Sequence, residues 1–129
     1  MALSLINPKE ERKLEVPVAP GVTWRWHVLT AREYADLQGL WKFRMEKGQD
    51  GKPIPVSDTA PGRMAIDLLA RVLIGVDGAD DDGNPLGAPE GGNTDAWYEW
   101  LDRVPPSVLV VVSEPMFGAH VLTRTDAGN

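Results

Sequence analysis

The sequence predicts a single α+β domain, mainly α: an N-terminal β-hairpin followed by a small bundle of three to four helices with a long acidic loop. Three patterns carry this expectation. Residues 13–28 alternate apolar and polar with period two around a Pro-Gly pair, the pattern of a half-buried hairpin. Three later segments repeat apolar residues at helical spacing, as helices packed on one side do. Residues 75–93 hold six glycines, two prolines and four aspartates, the composition of a surface loop. With 129 residues the chain can bury one core and not two. The expected parts are a hairpin segment over 1–29, two core helices over 30–75, the acidic loop over 76–93, C-terminal helices over 94–122 and a frayed tail over 123–129.

Each element has a local reason. Leu14, Val16 and Val18 share one face of the first strand, and Val22, Trp24, Trp26 and Val28 share one face of the second. Ala19-Pro20-Gly21-Val22 supplies the turn, with Pro and Gly where a type II turn takes them. Thr30 and Glu33 form a capping box, since the hydroxyl and the carboxylate can each accept from the other residue's backbone N–H. The helix that follows is expected to run to Lys47, with Tyr34, Leu37, Trp41 and Met45 on one side. A loop then extends to residue 59. A second helix is expected from Thr59 to Ile74, with a narrow polar stripe of Arg63, Asp67 and Arg71 on an otherwise apolar surface, so it should be mostly buried. A third begins at Asn93 or Thr94 and carries Trp97, Trp100, Leu101 and Val104 at i, i+3, i+4 and i+7. Residues 107–112, SVLVVV, favour a strand by propensity, but Pro105-Pro106-Ser107 resembles a helix start, and a helix limited by Pro115 is expected.

Composition excludes several classes. The net charge is −6 and no Cys is present. Phosphate recognition needs clustered Lys and Arg, so a nucleic-acid binder is not expected, and the same balance disfavours anionic lipid. Absence of Cys removes disulfides, thiolate nucleophiles and sulfur-ligated metal sites. No apolar run reaches the roughly 18 residues of a membrane helix. MALSLINPKE has none of the parts of a signal peptide, so a soluble, intracellular protein is expected. The charge is also uneven. Residues 1–71 hold eleven Lys/Arg and nine Asp/Glu, whereas residues 72–129 hold two and ten. That acidic half is either a solvated loop or a face that meets a basic partner.

Motifs for chemistry are missing. Asp80-Asp81-Asp82-Gly83-Asn84 suggests calcium, but placing Gly83 at the sixth position of an EF-hand loop puts Gly78 first and Pro89 twelfth, so both ends of the ligand frame fail. His27 and His120 are the only histidines, and neither stands in a nucleophile-base signature. GAPEGGN lacks the Gly-Lys-Ser/Thr ending of a phosphate loop. Glu99 and Asp102 share an outward helix face, where solvation explains them. No catalytic residue, cofactor or metal ligand is therefore assigned. The five tryptophans fall on expected inward faces, and core packing is their first explanation. Trp97 and Trp100, with Leu101 and Val104, nevertheless follow a loop that would cover them poorly. Trp24 and Trp26 lie on a hairpin with free edges. Together these six residues form the expected partner-binding surface.

The order of parts resembles that of the tail assembly chaperones of long-tailed (siphovirus-like) bacteriophages. The likeness lies in LINPKEERKLEVPV, then VTWRWHVLTAREYADLQ, the apolar helix MAIDLLARVLIGV, an acidic Gly-rich insert and a closing DAWYEWLDRVPPSVLVVV. The resemblance implies a mostly helical, non-enzymatic protein of the host cytoplasm. It would bind the tape-measure protein, keep its long apolar helices soluble, and be absent from the finished virion. It also implies a longer form made by translational frameshifting that recruits the tail tube protein. The family offers no catalytic residues to carry over, and SVLVVVSEP is less helix-like than its pattern. Two other classes stay open: a structural virion protein such as a tail-completion or connector subunit, which would use the hairpin for ring assembly as a homo-oligomer, and a small calcium-dependent binding module.

Overall fold

The computed structural model describes residue 3 and residues 5–120, so the expected tail over 123–129 lies outside the described residues. The elements are β1 (Arg12–Val16), β2 (Ala19–Trp26), α1 (Ala31–Gln38), β3 (Phe43–Lys47), β4 (Pro53–Ser57), α2 (Pro61–Val72), β5 (Leu73–Asp77), α3 (Thr94–Leu101) and α4 (Pro106–His120). They form two antiparallel sheets, one of order β1-β2-β5 and one of order β3-β4. At roughly 37% helix and 26% strand among the described residues, the fold is not mainly α, which corrects the expected hairpin-plus-bundle architecture.

The N-terminal alternation does make a hairpin. Val22, Trp24 and Trp26 turn inward and are buried, while Thr23 and Arg25 face the other side. The tight connection falls at Pro17-Val18 rather than at Pro20-Gly21. Gly21 lies inside β2 at φ +78°, a left-handed backbone that helps β2 absorb the offset between the Leu14–Trp24 and Val16–Ala19 pairs.

Two expected core helices over 30–75 are corrected. The second stops at Val72, and the chain passes directly into β5, which pairs along β2 through Trp24–Val76, Arg25–Gly75 and Trp26–Leu73. A continuous apolar run such as Val72–Val76 reads equally as helix or strand. Pairing decides it, because β2 would otherwise leave a row of backbone donors and acceptors unmet beside the core. The Arg25 side chain crosses this pairing directly over Gly75, where a Cβ would stand 2.1 Å from the guanidinium. From there it donates to Asp77 at 2.7 Å and to Glu90 at 2.9 Å, so β2, β5 and the loop beyond share one cation.

The first helix forms its capping box as the sequence predicts, with Thr30 Oγ1 accepting from the Glu33 N–H and Glu33 Oε1 accepting from the Thr30 N–H. It ends at Gln38 rather than Lys47, and residues 43–57 make the β3–β4 hairpin. Leu37 and Trp41 are buried, but Met45, which follows them at helical spacing, is 62% exposed. Without a core surface to meet Met45, continuation would carry Gly39 in a helix interior for no gain in burial. Residues 106–120 are helical and continue through Pro115. The bond lost at Pro115 is offset by burying Met116, which is fully enclosed, with Phe117 packed beside it.

Asp67 of α2 ties these pieces together. It is 2% exposed. Its Oδ2 accepts from the Trp41 indole N–H at 3.0 Å, and its Oδ1 accepts from the Tyr98 hydroxyl at 2.6 Å. Arg63 stands 3.2 Å from Oδ1. Arg71 donates both to the Asp67 backbone oxygen at 2.7 Å and to the Tyr98 oxygen at 2.8 Å. The narrow polar stripe is thus the seam between α2, α3 and the turn after α1. Asp67→Ala orphans the Trp41 and Tyr98 donors, at about 1–3 kcal/mol for each buried group. We expect urea unfolding of that variant to show a loss of roughly 2–5 kcal/mol at an unchanged m-value. Asp67→Asn, which keeps an acceptor oxygen, should lose less.

Candidate partner-binding groove

The six residues expected to form a partner surface divide by burial. Trp24, Trp26, Trp97, Trp100 and Leu101 are buried, and Val104 is half-buried. They therefore do not make an exposed aromatic patch. Trp100 meets Trp24 and Trp97 edge to face, with ring centroids 6.2 and 5.9 Å apart, a geometry that adds to the burial of each ring.

The acidic loop explains why the aromatics are covered. The Trp97 indole donates to Gly91 O at 2.7 Å, and the Trp100 indole donates to Leu86 O at 2.9 Å. The Gly91 N–H returns to Ile74 O of β5 at 3.0 Å. Ala79 and Pro85 form an isolated bridge, and between them Asp80 Oδ1 accepts from the Asp82 and Asn84 N–H groups. The segment expected to be a loosely covering loop is instead pinned to the Trp helix by the two indoles. The Asp80 carboxylate closes its own turn, as aspartates in tight turns do. Among the described residues no three His, Asp or Glu side chains group as a metal site.

Three of the six named residues converge on one groove. The β1–β2 connection, the acidic loop and the α3–α4 junction enclose about 590 Å³, lined by Trp24, Trp100 and Val104 and by Val18, Leu86 and Val108. Asp80, Asp81 and Arg103 line it too. The groove thus combines these apolar side chains with two acidic residues and one basic residue. Trp24 contributes one further feature: its Nε1–H is buried and has no hydrogen-bond partner among the described residues, an exception to the rule that buried donors are paired. Trp26, Trp97 and Leu101 are not among the lining residues. Val18, which is 55% exposed, was not anticipated from sequence, although the alternation that placed it beside Val16 was a usable signal.

A second cleft of about 420 Å³ lies between α1 and the segment leading into α3. It is lined by Leu29, Leu37 and Leu40 together with His27, Glu33, Asp36 and Arg71. Here the backbone N–H of Thr30 holds the Glu33 carboxyl below its usual pKa. The groups point to solvation and helix capping; none pairs with a nucleophile.

His120, in the last turn of α4, is half-buried. Its Nε2 accepts from the Leu29 N–H at 2.8 Å, and Nδ1 lies 2.7 Å from Met116 O. This pattern assigns the proton of a neutral ring to Nδ1. The ring stacks on Tyr34 at 4.8 Å. Burial pushes the His120 pKa down, reinforced by Arg12 and His27 nearby. The folded value thus lies below the unfolded one of about 6.5, so the unfolded chain takes up the proton first. The stabilisation is complete above that value and is lost as pH falls from it toward the folded pKa. We expect the thermal midpoint to drop between pH 7.5 and 5.5, and His120→Gln to flatten that drop. Comparison with protein-family models, with curated proteins and with solved structures finds no match.

Proposed function

We propose that the chain acts without catalysis as a tail assembly chaperone of long-tailed bacteriophages, binding and solubilising the tape-measure protein in the host cytoplasm during tail morphogenesis. The observation that supports the reading is the apolar groove bordered by Asp80 and Asp81. Such a groove suits the apolar stripe of a client helix flanked by basic residues. The surrounding acidic half of the chain, with two Lys/Arg against ten Asp/Glu over residues 72–129, keeps client-bearing protein apart by like-charge repulsion. A longer frameshifted form that reaches the tail tube protein belongs to the same proposal. The fold that the resemblance implied is mostly helical and this chain is not, so the reading stands on the groove and the quoted segments.

A structural virion subunit is the second reading, and the β3–β4 hairpin favours it, since its open β3 edge can pair with a strand of a neighbouring copy. Mass spectrometry of purified particles separates the two, because a chaperone is absent from the virion and a subunit is present.

The chaperone reading is tested by co-expressing the tape-measure protein with the wild-type chain or with Val18→Asp. Wild type should move the client into the soluble fraction. Val18→Asp adds a like charge beside Asp80 and Asp81 at an exposed position. It should keep its stability within about 0.5 kcal/mol and bind roughly tenfold more weakly, equivalent to about 1.4 kcal/mol. A client equally soluble with and without the wild-type chain contradicts the function. Solubilisation untouched by Val18→Asp contradicts the groove as its site.

A further inference from the structure

We propose that the outer edge of β3 pairs antiparallel with β3 of a second copy of this chain, about a two-fold axis through Met45, so that two hairpins join into one four-stranded sheet. This inference does not depend on the client or on the groove.

The hairpin has one open edge and one closed edge. Its ladder registers Phe43 with Ser57, Arg44 with Val56, Met45 with Pro55, Glu46 with Ile54 and Lys47 with Pro53. Gly48 N donates to Lys52 O at 2.8 Å, and Asp58 N donates to Lys42 O at 2.7 Å. Hydrogen-bonded pairs alternate along an antiparallel ladder. Arg44–Val56 and Glu46–Ile54 are therefore the bonded pairs, and Phe43, Met45 and Lys47 turn their N–H and C=O groups outward. Among the described residues β3 pairs with no strand but β4. On β4 the outward positions include Pro53 and Pro55, which have no N–H to offer, so that edge is blunted against pairing. Within this hairpin, strand addition can take place only along β3.

The sequence of β3, FRMEK, is complementary to itself in one register. With Met45 opposite the partner's Met45, Phe43 faces the partner's Lys47 and Lys47 faces the partner's Phe43. All are outward residues, so each of these three pairs is a bonded one. The intervening pairs set Arg44 against the partner's Glu46 and Glu46 against the partner's Arg44, at the closer spacing of non-bonded pairs, where opposite charges attract best. Sliding by two residues sets Arg44 against Arg44 or Glu46 against Glu46, which is unfavourable. Charge therefore selects both the partner and the register. Phe43 is 45% and Met45 is 62% exposed; Arg44 and Glu46 already pair with each other within the chain, and Arg44 also with Asp58, so the partner's charges extend an existing ion-pair network. Pairing gathers both copies' Phe43, Met45, Pro53 and Pro55 on one continuous face. The proline edges then lie outermost and stop growth at two copies.

Sedimentation equilibrium of the full chain at roughly 100 μM, a range suited to a small interface, should give twice the 14.1 kDa chain mass. Met45→Pro removes one outward N–H without touching the β3–β4 ladder and should give the monomer. The chain has no native cysteine, so Met45→Cys provides a second readout that does not rely on a proline-bearing fold. Mild oxidation should link two copies through that position, while Lys9→Cys, at an exposed position away from the hairpin, should not link. A wild-type monomer at that concentration, a dimer that survives in folded Met45→Pro, or a Met45→Cys chain that oxidises no faster than Lys9→Cys would overturn the proposal.

Discussion

A buried carboxylate needs its lone pairs met, and how Asp67 meets them constrains the rest of this molecule. Its partners come from the turn after α1, through Trp41, and from α3, through Tyr98. Arg71 closes the arrangement by bonding both the Tyr98 oxygen and the Asp67 backbone. For Trp41 to reach Asp67, α1 ends at Gln38, and the chain that follows is released to make a hairpin. For Tyr98 to reach it, α3 lies along α2, which carries Trp97 and Trp100 into the core with it. One acid thus sets the length of one helix and the docking of another.

The aromatic residues serve cohesion. Trp41, Trp97 and Trp100 each bury their rings and use the indole N–H to hold a neighbouring segment. The acidic loop is consequently shaped by the core, and its charge falls on the border of a groove rather than on a loose strand of chain. Apolar surface left for partners is provided by smaller or peripheral residues: Val18 and Val104 at the groove, Phe43, Met45 and Ile54 on the projecting hairpin.

Where a local signal had one physical meaning, it was legible. The capping box at Thr30 and Glu33 and the alternation of Val22, Trp24 and Trp26 report backbone geometry directly. Where two periods coincided, reading failed. Trp41 and Met45 are at helical spacing, yet Phe43 and Met45 also alternate with Arg44 and Glu46, and the bond from Trp41 to Asp67 together with the exposure of Met45 decides between them. Pro53 and Pro55 read as loop residues because proline leaves central strands; on an edge strand with outward N–H positions they are permitted. Leu73–Val76 could be assigned only by knowing that β2 lacked a neighbour. As for the groove, Trp24, Trp100 and Val104 pointed to its location, but Val18, Leu86 and Val108 come from three segments that only the fold brings together.

The central claim is that the tryptophans are interior struts and not a binding patch. Hydrogen exchange of the five indole N–H groups, followed by NMR in the client-free protein, tests it most directly. The indoles of Trp41, Trp97 and Trp100 should exchange only through opening of the core, and Asp67→Ala should speed Trp41 first. Exchange of Trp97 and Trp100 at the rate of a solvent-exposed indole would contradict the account.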